Sequence, residues 1–112
     1  MKILIPILED KGMDSGISLH FGHAPFFAIY DSKDNELKIF KNELDHSNQT
    51  KSPVDQLMIH NPDILYVVDI GNRAIELFKQ KGISLKTGNY EKIKEVIENI
   101  DDLDELTGSC GH

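Results

Sequence analysis

The stretch Ile64-Leu65-Tyr66-Val67-Val68-Asp69-Ile70-Gly71-Asn72-Arg73-Ala74-Ile75-Glu76-Leu77-Phe78-Lys79-Gln80-Lys81-Gly82-Ile83 decides the fold class. Residues 64–70 form a short run rich in apolar and β-branched side chains, the pattern of a strand buried on both faces. Gly71 interrupts it, and Asn72 is a residue type that caps helices. Ala74, Ile75, Leu77 and Phe78 then recur at the spacing of one helix face, and Gly82 ends the helix before residues 83–87 return as a strand. A strand, a helix and a second strand in so short a span make a parallel crossover unit, the signature of an α/β protein.

The same reading extends in both directions. Residues 2–8 are a β-branched and leucine run, again a strand buried on both faces. A loop follows from about residue 9 to residue 25, containing Gly12, Gly16, Gly22 and Pro25; a connection of that length in a small domain is usually functional. Residues 26–31 and 36–41 are strands joined by Ser32-Lys33-Asp34-Asn35, which has hairpin-turn chemistry. Residues 42–51 are a polar loop. Ser52 then caps a short helix that has Pro53 at its first position and Val54, Leu57 and Met58 on its apolar side, and that ends near His60-Asn61-Pro62. A last helix opens at Gly88 or Asn89 with Ile93, Val96, Ile97 and Ile100 facing inward. The expected architecture is a mixed five-stranded sheet with its first, fourth and fifth strands parallel and helices on both faces, a three-layer arrangement.

Length and charge narrow the function classes. The 112 residues form one domain over residues 1–100, with an acidic tail at 101–112 that ends in Cys-x-His. The formal net charge of −7 opposes nucleic-acid binding, which needs Lys and Arg to neutralise phosphates. Much of the excess is local: Glu91, Glu95, Glu98, Asp101, Asp102, Asp104 and Glu105 face only Lys92 and Lys94, and read as a solvated surface. No apolar stretch approaches the ~20 residues of a membrane span, the amino terminus does not resemble a signal peptide, and the single cysteine suits a reducing compartment. The chain therefore reads as cytoplasmic, without nucleic-acid or membrane partners. Phosphate-binding loops, nucleophile elbows and a cysteine at a helix start are all missing, so nothing calls for an enzyme.

In open α/β sheets ligands bind beyond the carboxyl ends of parallel strands. Two loops emerge there if the first and fourth strands are neighbours. One carries Ser18-Leu19-His20-Phe21-Gly22-His23-Ala24-Pro25-Phe26-Phe27; the other is the Gly71-Asn72-Arg73 turn, where a helix amino terminus and the only arginine of the chain meet. His20 and His23 offer imidazoles, Phe21 and Gly22 lie between them, and a helix amino end attracts anions. Cys110 and His112 are a second pair of metal-ligating types close enough to share one ion. His46 and His60 lie in or beside polar segments and read as surface residues.

These two loops resemble the landmarks of the dinitrogenase iron-molybdenum cofactor biosynthesis family, the nitrogenase accessory factor-like proteins. The first is similar to that family's Ser-x-x-His-Phe-Gly-Arg-Ala-Pro-x-Phe pattern and the second to its Ile-Gly-x-x-Ala turn. The resemblance implies a ribonuclease H-like fold. It also implies a non-catalytic binding or carrier role for an anionic iron-sulfur or iron-molybdenum cluster in metallocluster assembly, with assembly or recipient proteins as partners. Under it, His20, Phe21, Gly22, His23, Gly71, Asn72 and Arg73 contact the cluster, and His20, His23, Cys110 and His112 are its candidate metal ligands. The sequence departs from the pattern at His23, where the family more often has arginine. It departs again at residues 47–53, which replace a glycine-rich stretch. One thiolate per chain would bring a second copy into any all-cysteine site, making a homodimer a corollary. A regulatory or protein-interaction module that keeps the fold without a cluster is the other reading.

Overall fold

The computed structural model describes residues 1–43 and 53–106. Its sheet contains β1 (Lys2–Ile7), β2 (Phe26–Asp31), β3 (Glu36–Lys41), β4 (Ile64–Tyr66), β5 (Ser84–Thr87) and β6 (Asp104–Glu105), in the order β3-β2-β1-β4-β5-β6. β1, β4 and β5 are parallel, while β2, β3 and β6 each run antiparallel to their neighbours. The sequence reading of five strands is corrected to six. β6 is only two residues long and both are exposed acids, so no period-2 apolar pattern marks it. Leu103, just before it, is buried and draws the chain back onto the sheet.

Alternation in the strands builds two cores. Leu4, Phe27, Leu65, Val67 and Leu85 point to one face, covered by α1 (Pro53–Leu57) through Val54 and Leu57 and by α2 (Asn72–Gln80) through Ile75 and Phe78. Ile3, Ile5, Ile7, Ala28, Ile64 and Tyr66 point to the other, covered by α3 (Ile93–Glu98) through Ile93 and Val96. Helices on both faces give three layers, as the apolar runs in β1 and β4 require.

Helix ends differ from the sequence expectation in two places. Asn72 is the first residue of α2 rather than its cap; Gly71 occupies the cap position in extended conformation. α3 begins at Ile93, later than Gly88 or Asn89, because the Glu95 carboxylate reaches back to accept from the backbone amides of Glu91 (2.9 Å) and Lys92 (3.0 Å) and seals the end there. Two further ends match. Gly82, at φ +78°, terminates α2 while the Ile83 amide returns to Phe78 O at 3.0 Å. Asn61, at φ 53°, closes the turn that follows α1. No helix among the described residues is long and apolar enough to cross a membrane.

Pro6 explains where the sheet opens. Even-numbered residues of β1 turn their backbone groups toward β4, since Lys2 O accepts from the Asp63 amide at 2.8 Å. Pro6 is the even residue with no amide to donate. The β1–β4 pairing accordingly runs through Ile3 and Leu4 and ends there. Beyond it, Pro6 O accepts from the Ser18 amide at 2.9 Å and the Leu8 amide donates to Gly16 O at 2.8 Å. The long first loop thus lies along the end of β1, in the gap between the two parallel strands.

Candidate functional site

The first loop is bonded on three sides. Besides its bonds to β1, the Ile17 amide donates to Glu91 O (2.9 Å) and the Ile93 amide to Ser15 O (3.1 Å), which ties the loop to the start of α3. On its third side His20 bridges Asp69 in parallel: the Asp69 amide donates to Leu19 O and the Phe21 amide to Asp69 O, both at 3.1 Å. A segment read from sequence as structureless is therefore an irregular extension of the sheet. These bonds pair backbone groups of the loop that burial would otherwise leave unsatisfied.

Individual side chains hold the His20 turn. Ser18 is 4% exposed; its hydroxyl donates to His20 O at 3.2 Å and accepts from the His20 amide at 3.4 Å. Phe21 points inward, its ring centroid 5.6 Å from both Phe27 and Phe78, edge-on to the latter at 87°. Burying a phenylalanine of this kind stabilises by about 2–3 kcal/mol, and it pins the loop to α2 and β2 together. Ala24 is buried two residues before Phe26. Phe21 was expected from sequence to contact a ligand; the structure gives it to the core, where it serves as the anchor beneath the site.

With Phe21 turned in, its neighbours turn out. His20 and Asp69 both keep 65% of their side chains exposed, and His20 Nδ1 lies 3.1 Å from Asp69 Oδ2. His23 is exposed in the same loop, and Gly71, Asn72 and Arg73 are exposed at the start of α2. Leu19 and Val68, each adjacent to one member of the His20–Asp69 pair, are exposed apolar residues on this edge. The two loops predicted to converge do converge, joined through Asp69.

The glycines of the site are informative. Neither Gly22 nor Gly71 has a positive φ, and a Cβ built on either meets no atom within 4 Å. Backbone conformation and packing of the chain itself do not demand glycine at either position. What glycine does leave is uncovered backbone, room for a ligand to approach the chain closely. α2 has no side-chain cap and no acidic residue in its first turn, so the amide end and Arg73 provide its local positive field.

Asp69 is the residue that sequence reasoning did not select. It puts a carboxylate into a site read as positive, directed at the imidazole. The signal available was its position at the end of the β4 segment, where α/β proteins place functional groups; its partner is 49 residues away. Among the described residues no group of three or more His, Cys, Asp or Glu side chains could hold a metal ion. Cys110 and His112, and also His46 and the residue 47–52 segment, lie outside the described residues. A hollow of ≈ 350 Å³ lined by Lys2, Ile29, Asp31, Glu36, Lys38 and His60 sits at the opposite end of β1, away from these loops. His60 there is half-buried and stacked on Phe40 at 4.2 Å rather than lying free on the surface.

Comparison with known proteins places this geometry. Among solved structures, the chain is similar to PH0822 (28% identity, TM-score 0.77, 96% of each chain covered). It is also similar to a putative NifB protein from Thermotoga (25% identity, TM-score 0.78, covering 95% of this chain and 93% of the other). It shares its fold with the apo form of the orange protein from Desulfovibrio gigas at 16% identity (TM-score 0.80, 96% and 93% covered). No functionally curated sequence matches it. Residues 1–102 match the family described as dinitrogenase iron-molybdenum cofactor, and the chain belongs to that family.

Proposed function

We propose that this protein is a non-catalytic carrier, on a ribonuclease H-like sheet, that holds an anionic iron-sulfur or iron-molybdenum cluster in transit between metallocluster assembly and recipient proteins. The observation that supports it most directly is the convergence of His20 with the glycine-opened Gly71-Asn72-Arg73 turn at one end of the parallel strands. The donor set fits such cargo. A sulfide-bridged cluster brings most of its own ligands, so one imidazole at an open metal position can anchor it, with His23 beside it as a second donor. Arg73 and the amide end of α2 balance the negative charge. One or two protein ligands on an exposed edge also permit release, which a carrier needs and a closed cage would prevent. Cys110 and His112 are proposed as further ligands.

The test is anaerobic incubation of the purified protein with iron, sulfide and thiomolybdate, followed by desalting and metal analysis per chain, with His20→Ala in parallel. Stoichiometric metal that the variant retains at a tenth or less of the wild-type level is the expected result. Retention no greater than that of an unrelated protein of similar charge would remove the carrier reading and leave the interaction-module reading in its place.

A further inference from the structure

We propose that Asp69 is the positioning residue of this site: its carboxylate holds His20 as the Nδ1–H tautomer and thereby turns Nε2 outward as the ligating atom. This rests on the carrier reading and specifies which atom of His20 meets the cargo. The geometry has two independent parts. Backbone bonds in both directions between residues 19–21 and Asp69 set the separation of the two Cα positions without any help from side chains. Within that frame His20 Nδ1 lies 3.1 Å from Asp69 Oδ2.

An ionised carboxylate can only accept a hydrogen bond, so the proton must reside on Nδ1. The neutral ring then carries its lone pair on Nε2, the nitrogen turned away from Asp69. Ser18 fixes the backbone on both sides of the ring, through the His20 amide and carbonyl. Phe21, locked between Phe27 and Phe78, removes the freedom of the next residue. A carboxylate behind a ligating histidine orients the ring and raises its basicity, and its loss typically weakens metal binding ~10–100-fold. The exposure of the pair does not argue against this role, since a ring that receives cargo from solution has to be accessible.

The experiment combines a spectroscopic and a binding readout on the full chain. Long-range ¹H–¹⁵N correlation of the His20 ring, at alkaline pH in the metal-free protein, reports the tautomer directly. Wild type is expected to show Nδ1–H as the main form, and Asp69→Ala to move the population toward Nε2–H. The Asp69 backbone bonds to Leu19 and Phe21 do not involve the side chain, so amide spectra of the variant elsewhere in the sheet should be unchanged. In the iron, sulfide and thiomolybdate assay, Asp69→Ala should require at least a tenfold higher metal concentration for half-loading, with Asp69→Glu recovering part of the loss. A wild-type ring already in the Nε2–H form, or a tautomer unaltered by Asp69→Ala, would overturn the proposal whatever the metal result. So would normal loading of Asp69→Ala alongside failed loading of His20→Ala. If wild type itself retains no metal, the carrier reading falls and takes this role of Asp69 with it, while the tautomer result separately reports the hydrogen bond.

Discussion

His60 couples to stability through its surroundings. Burial against Phe40 lowers its pKa from the ordinary 6.5, and the charges of Lys2 and Lys38 lower it further. Unfolding restores the ordinary value, so below about 6.5 the unfolded chain binds this proton more readily and folding weakens as pH falls, down to the folded value. His60→Gln lacks that proton. The urea midpoint of wild type should therefore drop more between neutral pH and mildly acidic pH than that of His60→Gln, and equal slopes would show that the imidazole is solvated. Asp14 and Glu105 act in a lower window: the hydrogen bonds and charges of Lys94 and Lys86 respectively lower their pKa values, so their contribution disappears only as carboxylates protonate. Sequence could not foresee His60, because its partners Lys2, Lys38 and Phe40 come from two distant strands, β1 and β3. Phe21 carries the same lesson in reverse. Next to two candidate ligands it read as part of the ligand surface, yet alternation about an extended backbone sends it to the core whenever His20 points out.

At the scale of elements, terminators and caps separate backbone necessity from function. Gly82 sits at φ +78° with no neighbour near its missing side chain. Gly82→Ala should therefore cost about 1–2 kcal/mol through left-handed strain alone, whereas Gly22→Ala, which lacks both strain and crowding, should stay within about 0.5 kcal/mol. Chemical denaturation of the two variants tests this, and equal losses would show that the α2 terminus is not set by its glycine. Much at this scale was legible. The crossover unit, the hairpin with its Ser32-Lys33-Asp34-Asn35 turn, and Pro53 at the first position of α1 all follow from local rules. The late start of α3 was not, since a bond to a distant loop helps to set it. Glu91 O and the Ile93 amide are bonded to Ile17 and Ser15 of the first loop at the point where the helix begins, a pairing invisible to a local window.

For the whole molecule, β6 is the least expected part and the most exposed to test. It covers the open edge of β5 through Lys86↔Glu105 and Thr87↔Asp104, with an ion pair between Lys86 and Glu105. Ending the chain after Asp102 removes that cover together with the buried Leu103. Stability should fall by about 2–3 kcal/mol from the lost leucine, and the bared strand edge should promote self-association, visible by sedimentation at increasing concentration. Wild-type stability with an unchanged state of association would show that the sheet is complete with five strands.

Sequence by itself determined five of the six described strands, the three α-helices, the parallel crossover and the edge on which two loops would meet. Apolar periods, glycine and proline act within a few residues, and parallel strands joined by a crossover put their carboxyl ends together. Tertiary structure alone decided what stands at that edge. Pro6 ends a ladder only once β4 lies beside β1, the first loop fills the gap only because the ladder has ended, and Asp69 reaches His20 only through that loop. Such pairings depend on register between distant segments, in which a shift of one residue reverses every side chain, and no local pattern encodes them.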